Sequence, residues 1–130
     1  MNTTSESVFT GPNPAAVYHD YLGKGDFRIQ CCDSCGTHVF YPRILCTHCG
    51  GIQLKWVPAS GRGSVYAVSI VNRRAEQGGP YNVVLVDLEE GPRMMARVDG
   101  ISHDQVKIGM PVKARIESGD PAPFVVFEPV

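Results

Sequence analysis

Two short segments of the chain, Cys32-Asp-Ser-Cys35-Gly36 and Cys46-Thr-His-Cys49-Gly50, repeat one pattern: two cysteines separated by two residues and followed by glycine. Two intervening residues let both sulfurs face one ion across a tight turn, and the glycine permits backbone conformations closed to residues with a Cβ. Together the two turns predict a tetrahedral site of four thiolates, Cys32, Cys35, Cys46 and Cys49. Ten residues part the two pairs, enough for a hairpin that brings the turns together. Zinc is the expected ion, with iron the alternative, because C-x-x-C pairs serve both metals. Four thiolates close the coordination sphere to water and substrate, so the ion is expected to staple the fold and not to catalyse.

The remaining reactive residues do not form a recognisable catalytic set, and no catalytic residue is assigned. Cys31 adjoins a ligand; it reads as a small strand residue, or alternatively as a nucleophile or an alternate ligand. His19, His38, His48 and His103 are scattered without a motif, and His48, inside the second cysteine turn, is expected to point outward. Asp87, Glu89 and Glu90 read as a solvated rim at a strand end. Acyl transfer would need a nucleophile with a base beside it and donors for the oxyanion, and metal hydrolysis an open coordination position. Neither pattern is present, nor is a glycine-rich phosphate loop. The sequence reads first as a binding or structural subunit.

What must position the cysteines is a chain of 130 residues, long enough for a real core, with 43% hydrophobic and 19% charged residues. Lys and Arg number 12 against 13 Asp and Glu, so no general positive field invites a nucleic-acid backbone. No apolar run reaches the ~20 residues of a membrane helix, and residues 1–10 lack the pattern of a signal peptide; the expected location is the cytoplasm, with no membrane partner. In that reducing compartment paired cysteines mean a metal before a disulfide. Residues 1–12 read as a loose arm. Asn13 followed by Pro14 predicts a helix start, and Gly23 and Gly25 its end. On this helix Val17, Tyr18, Tyr21 and Leu22 form one apolar stripe, packed either on its own domain or on another subunit. Short strands are expected over residues 27–30 and 39–45. Five further runs, at 64–71, 82–89, 93–98, 112–117 and 124–127, carry the β-branched and aromatic signal. Residues 99–111 between the third and fourth would hold one helical turn or an irregular crossover. The fold class is therefore mainly β: an N-terminal arm and helix (1–28), a zinc ribbon (29–58), and a five-stranded OB-fold barrel (59–130).

In this order the features resemble the DUF35 family of OB-fold proteins, whose ribbon is rubredoxin-like and which accompany acyl-CoA enzymes. The stretches carrying the resemblance are the two cysteine turns, Tyr41-Pro42-Arg43, Ser60-Gly61-Arg62-Gly63-Ser64-Val65-Tyr66, Pro80-Tyr81, Val86-Asp87-Leu88-Glu89-Glu90-Gly91-Pro92-Arg93 and Ile108-Gly109-Met110-Pro111-Val112. The resemblance implies a noncatalytic zinc-binding subunit of a heteromeric acyl-CoA thiolase (acyltransferase) complex, acting on aromatic or steroid thioesters for example. It would help form the acyl-CoA site and stabilise a thiolase-like catalytic subunit. In such a complex a CoA thioester is a shared ligand, and Arg43, Arg62, Arg73, Arg74 and Arg93 are the guanidinium groups that could meet its phosphates. Alternatives are a partner subunit of an acyl-CoA hydratase and a single-strand nucleic-acid binder, the latter disfavoured by the charge balance.

Overall fold

The computed structural model describes residues 13–119 and 122–130, so the arm expected over residues 1–12 lies outside the described part. Helix α1 spans Pro14–Gly23 and begins as expected: the Asn13 side-chain oxygen accepts the Ala15 N–H at 2.9 Å, with Pro14 in the first turn. Ten residues make a marginal helix in water. Its stability comes from Tyr18 and Leu22, four apart on one face, both buried in the barrel's core cluster. The apolar stripe is thus covered by the chain's own barrel, while Tyr21 leans on Trp56 with ring centres 5.7 Å apart.

The ribbon is a three-stranded antiparallel sheet, with β1 (Arg28–Cys32) between β2 (His38–Val39) and β3 (Leu54–Pro58). The strand expected over residues 39–45 stops after Val39. Beyond it, the Gln30 side chain replaces main-chain pairing: its Nε2 donates to the Arg43 carbonyl at 2.8 Å, and its Oε1 accepts the Arg43 N–H at 2.6 Å. Pro42, which has no N–H, could not have continued a ladder there. Strand β3 was not anticipated, although Leu54 and Trp56 alternate with Lys55 as a strand requires.

All five expected barrel strands form: β4 (Arg62–Val71), β5 (Tyr81–Leu88), β6 (Arg93–Ala96), β7 (Pro111–Glu117) and β8 (Phe124–Pro129), in the order β6-β5-β4-β7-β8. Strand β5 shows why: Asn82, Val84, Val86 and Leu88 are buried and alternate with half-buried neighbours, the two-residue period of a strand. The sheet closes where Val98 bridges Phe127 in parallel; the Phe127 N–H donates to the Arg97 carbonyl and the Asp99 N–H to the Phe127 carbonyl, each at 2.8 Å. That closure makes the five-stranded barrel an OB-fold. The crossover from β6 to β7 holds one 3₁₀ turn, His103–Gln105. Gly63 is dictated by space, since a Cβ there would lie 2.6 Å from the Asp87 carbonyl oxygen.

Candidate metal centre

Each cysteine turn has the same construction. The Gly36 N–H donates to the Cys32 carbonyl at 2.8 Å and the Gly50 N–H to the Cys46 carbonyl at 3.0 Å. Both glycines have φ of 76°, a left-handed conformation that glycine adopts freely. The first turn leaves the end of β1 and the second sits in the loop before β3, and β1 pairs with β3 from Arg28–Pro58 to Cys32–Leu54. That pairing brings the turns face to face. The four sulfurs of Cys32, Cys35, Cys46 and Cys49 all lie within 4.8 Å of one another. Cys32 to Cys49 and Cys35 to Cys46 are each 3.6 Å.

Zinc–sulfur bonds of about 2.3 Å in a tetrahedron put sulfurs about 3.8 Å apart, so the donor set fits this ion as it stands. Main-chain donors complete the cradle: the His48 N–H reaches the Cys46 sulfur, and the Gly51 N–H the Cys49 sulfur, both at 3.4 Å. The electrostatics are those of thiols sharing protons. Hydrogen bonds from the Thr37 side chain and backbone pull Cys35 down to about 6. At Cys49 the Gly51 bond lowers the thiol, but the sulfurs of Cys32 and Cys35 outweigh it and push it up to about 12. Four neighbouring thiolates repel one another until a dication replaces the retained protons. Zinc bound there would cross-link the two turns through all four positions.

The other candidate residues occupy separate places. Cys31 lies in β1, with its sulfur 3.7 Å from the Gly36 carbonyl and 4.0 Å from that of Cys32. His48 is exposed, His19 bonds through Nδ1 to the Ala15 carbonyl, and His103 bonds to Asn82. Asp87 and Glu90 are engaged and not merely solvated: Asp87 pairs with Arg93 at 2.6 Å, and a Glu90 carboxylate oxygen accepts the Ser60 N–H at 2.6 Å.

The five arginines do not converge. Arg43 is exposed on the ribbon loop, held through its backbone by Gln30. Arg73 and Arg74 occupy the β4–β5 loop, Arg73 bonded to the Gly79 carbonyl and stacked 4.6 Å over Tyr81, Arg74 paired with Glu76. Arg62 stands at the other end of the ten-residue strand β4, roughly 30 Å from that loop at 3.3 Å per residue. Arg93 lies beside β4 near Arg62's end and stacks 3.4 Å from the centre of the Tyr66 ring. Two buried amides, Gln30 and Asn82, escaped the sequence reading, because nothing local marks a polar residue whose partner lies 13 or 16 residues away.

Two family models match successive parts of the chain. Residues 19–54 match the ChsH2 rubredoxin-like zinc ribbon domain, and residues 56–117 the C-terminal OB-fold domain of ChsH2. A probable enoyl-CoA hydratase alpha subunit of Thermomonospora curvata is 36% identical over 126 residues, covering 91% of this chain and 40% of that protein. A DUF35 domain-containing scaffold protein of Methanocaldococcus jannaschii is 33% identical over 87 residues, 64% of this chain and 62% of the other. The chain therefore spans less than two-thirds of the length of either relative. The solved structure called Ltp2-ChsH2(DUF35) aldolase superposes with a TM-score of 0.80 and 32% identity, covering 91% of this chain and 95% of that one. With the zinc-ribbon and OB-fold models matched in turn and the fold shared along that length, this protein belongs to the ChsH2/DUF35 family of zinc-ribbon OB-fold proteins.

Proposed function

We propose that this protein is a noncatalytic, zinc-stabilised subunit of a heteromeric acyl-CoA thiolase complex, helping to form the acyl-CoA site and stabilising a thiolase-like subunit that carries the catalytic residues. The observation that carries the reading is the likeness, over 91% of this chain and 95% of the other, to a chain of the aldolase whose name joins ChsH2(DUF35) to Ltp2. Support comes also from the metal centre, whose four sulfurs use all the positions of a tetrahedral ion and so favour a structural role. The complex belongs in the cytoplasm, where thiols stay reduced and available to zinc.

Co-expression with candidate thiolase subunits tests this, scored by co-purification, zinc content and CoA-dependent thiolysis of the complex against each part alone. A zinc-loaded complex that is active only when both chains are present is expected. A chain that ignores every thiolase overturns the thiolase assignment. A second reading, partnership with an acyl-CoA hydratase, is favoured by the 36% identity to the probable enoyl-CoA hydratase alpha subunit. Hydration of an enoyl-CoA by a complex with a hydratase subunit would select it.

A further inference from the structure

We propose that the open seam of the barrel, between the edges of β6 and β8, accepts an extended segment of a partner protein as an added strand. That the partner is an acyl-CoA enzyme subunit rests on the reading above; the seam itself rests on register. The Phe127 N–H donates to the Arg97 carbonyl and the Asp99 N–H to the Phe127 carbonyl, so at this bridge the main chain of Arg97 and of Phe127 turns toward the seam. Main-chain groups alternate sides from one strand residue to the next, so those of Met95 in β6 and Val125 in β8 turn the same way, away from β5 and β7. Pairing ends there. Among the described residues no main-chain partner reaches the Met95 N–H or C=O, the Arg97 N–H, or the Val125 N–H or C=O. Val125 is 7% exposed, and main-chain groups so buried are almost always paired.

An apolar cleft of about 330 Å³ opens at the same place. Met95 and Phe124 line it from the two strands, Tyr18 from α1, and Phe40 and Tyr41 from the ribbon. Met95 is 69% exposed, and Tyr41 and Phe124 are exposed as well. A row of donors and acceptors at strand spacing recognises a polypeptide backbone, and the aromatic and methionine side chains around it suit the apolar side chains of an added strand. The cleft's arginine, Arg93, is already paired with Asp87, so the lining suits an apolar strand better than an anion. The two edges run in the same direction where Val98 bridges Phe127, so one inserted strand takes a single orientation toward both. From Arg93 to Arg97 the edge is about 13 Å long, room for about four or five extended residues. Every described strand of a second copy is already paired in its own sheets, whereas a partner chain can supply a free extended segment.

The test is amide hydrogen exchange of the zinc-loaded chain, alone, with an acyl-CoA enzyme subunit that co-purifies with it, and with a capped Thr-Val-Thr-Val-Thr peptide at millimolar concentration. Alone, the amides of Met95, Arg97 and Val125 should exchange fast and those of Met94, Ala96 and Val126, which face their paired strands, slowly. With either probe the first set should become protected. Met95→Pro removes an N–H that the sheet does not use, at an exposed side chain, and should weaken docking about tenfold with the melting temperature unchanged. Phe124→Glu, which puts a charge into the apolar cleft, serves as a second variant should the proline lose the native spectrum. Ile108→Glu, at an exposed residue outside the cleft, should dock as the parent does. Protection of the first set in the free chain would mean that the chain fills its own seam, and protection that rises with its concentration would mean a second copy; either overturns the proposal, as does full affinity in both seam variants. The two readings fail separately. Capture of an acyl-CoA enzyme without protection at these amides keeps the subunit role and removes the seam site. Where no such enzyme is captured, protection by the peptide keeps the seam as a strand-binding site, and its absence overturns it.

Discussion

Replacing Asn82 by leucine tests how the barrel is closed. The Asn82 side chain is 1% exposed; its Oδ1 accepts the Val98 N–H and its Nδ2 donates to the Val98 carbonyl, both at 2.8 Å. The Val98 N–H fixes which way the amide points, so Nδ2 also faces His103 Nδ1 at 3.0 Å. Val98 is itself 1% exposed and forms the parallel bridge to Phe127. Leucine keeps the branched shape and heavy-atom count but leaves two buried main-chain groups without partners, each costing about 1–3 kcal/mol. The sum, about 2–5 kcal/mol after some gain from apolar burial, is a large share of a typical stability of about 5–15 kcal/mol. It corresponds to a melting temperature lower by roughly 10–20 °C in a domain of this size. Urea unfolding of the metal-loaded chain, followed by Trp56 fluorescence and circular dichroism, measures it. A loss below about 1 kcal/mol would refute the reasoning, since buried unpaired groups could not then cost what is assigned to them.

Removing zinc with a strong chelator, or mutating Cys46→Ser, should unfold the ribbon and spare the barrel. The ribbon's own buried cluster is only Cys32, Val39 and Cys46 with Leu54 against it, whereas the barrel keeps Val84, Val86 and Phe127. Amide spectra should lose the β1–β3 signals first, and unchanged ribbon signals after verified metal loss would contradict this. Zinc affinity should fall as pH falls, because protons compete for the thiolates. The sign follows from Cys49, pushed up to about 12 among its neighbouring sulfurs and so protonated at neutral pH without the ion; zinc addition in weak buffer should release protons, and a pH-independent affinity would argue against thiolate ligation. Gly63→Ala should cost about 1–3 kcal/mol through overpacking, because its Cβ would press on the Asp87 carbonyl and the Val86 side chain; a neutral effect in urea unfolding would show that β4 and β5 can part.

The features legible in the sequence are those set by local rules. Spacing of two residues announces the cysteine turns, Asn13-Pro14 announces the start of α1, and two-residue alternation announces β5. What escaped depends on partners distant in sequence. Gln30 ends the expected 39–45 strand by holding Arg43 across 13 residues, and Glu90 reaches back 30 residues to Ser60 at the junction of ribbon and barrel. Arginine identity was visible, but the separation of Arg62 from Arg73 and Arg74 follows from the length of β4 and its pairing. Likewise the opposition of Arg62 and Lys113 is a matter of register, which no local pattern of the β7 run specifies.

The metal centre matters beyond its own turns because of what the ribbon carries. Tyr18 of α1 meets Phe27, Phe40 and Tyr41 edge-on, with ring centres 5.4–6.4 Å away, and Tyr18 is also part of the barrel core. A ribbon ordered by four thiolates fixes Phe40 against that helix, and the Gln30 clamp then holds the next residues so that Tyr41, Ile44 and Leu45 face outward. Ordering this loop in advance lowers the entropy that any partner must supply on binding. A metal site whose four positions are all taken by thiolates thereby bears on this surface through the loop its ribbon holds in place.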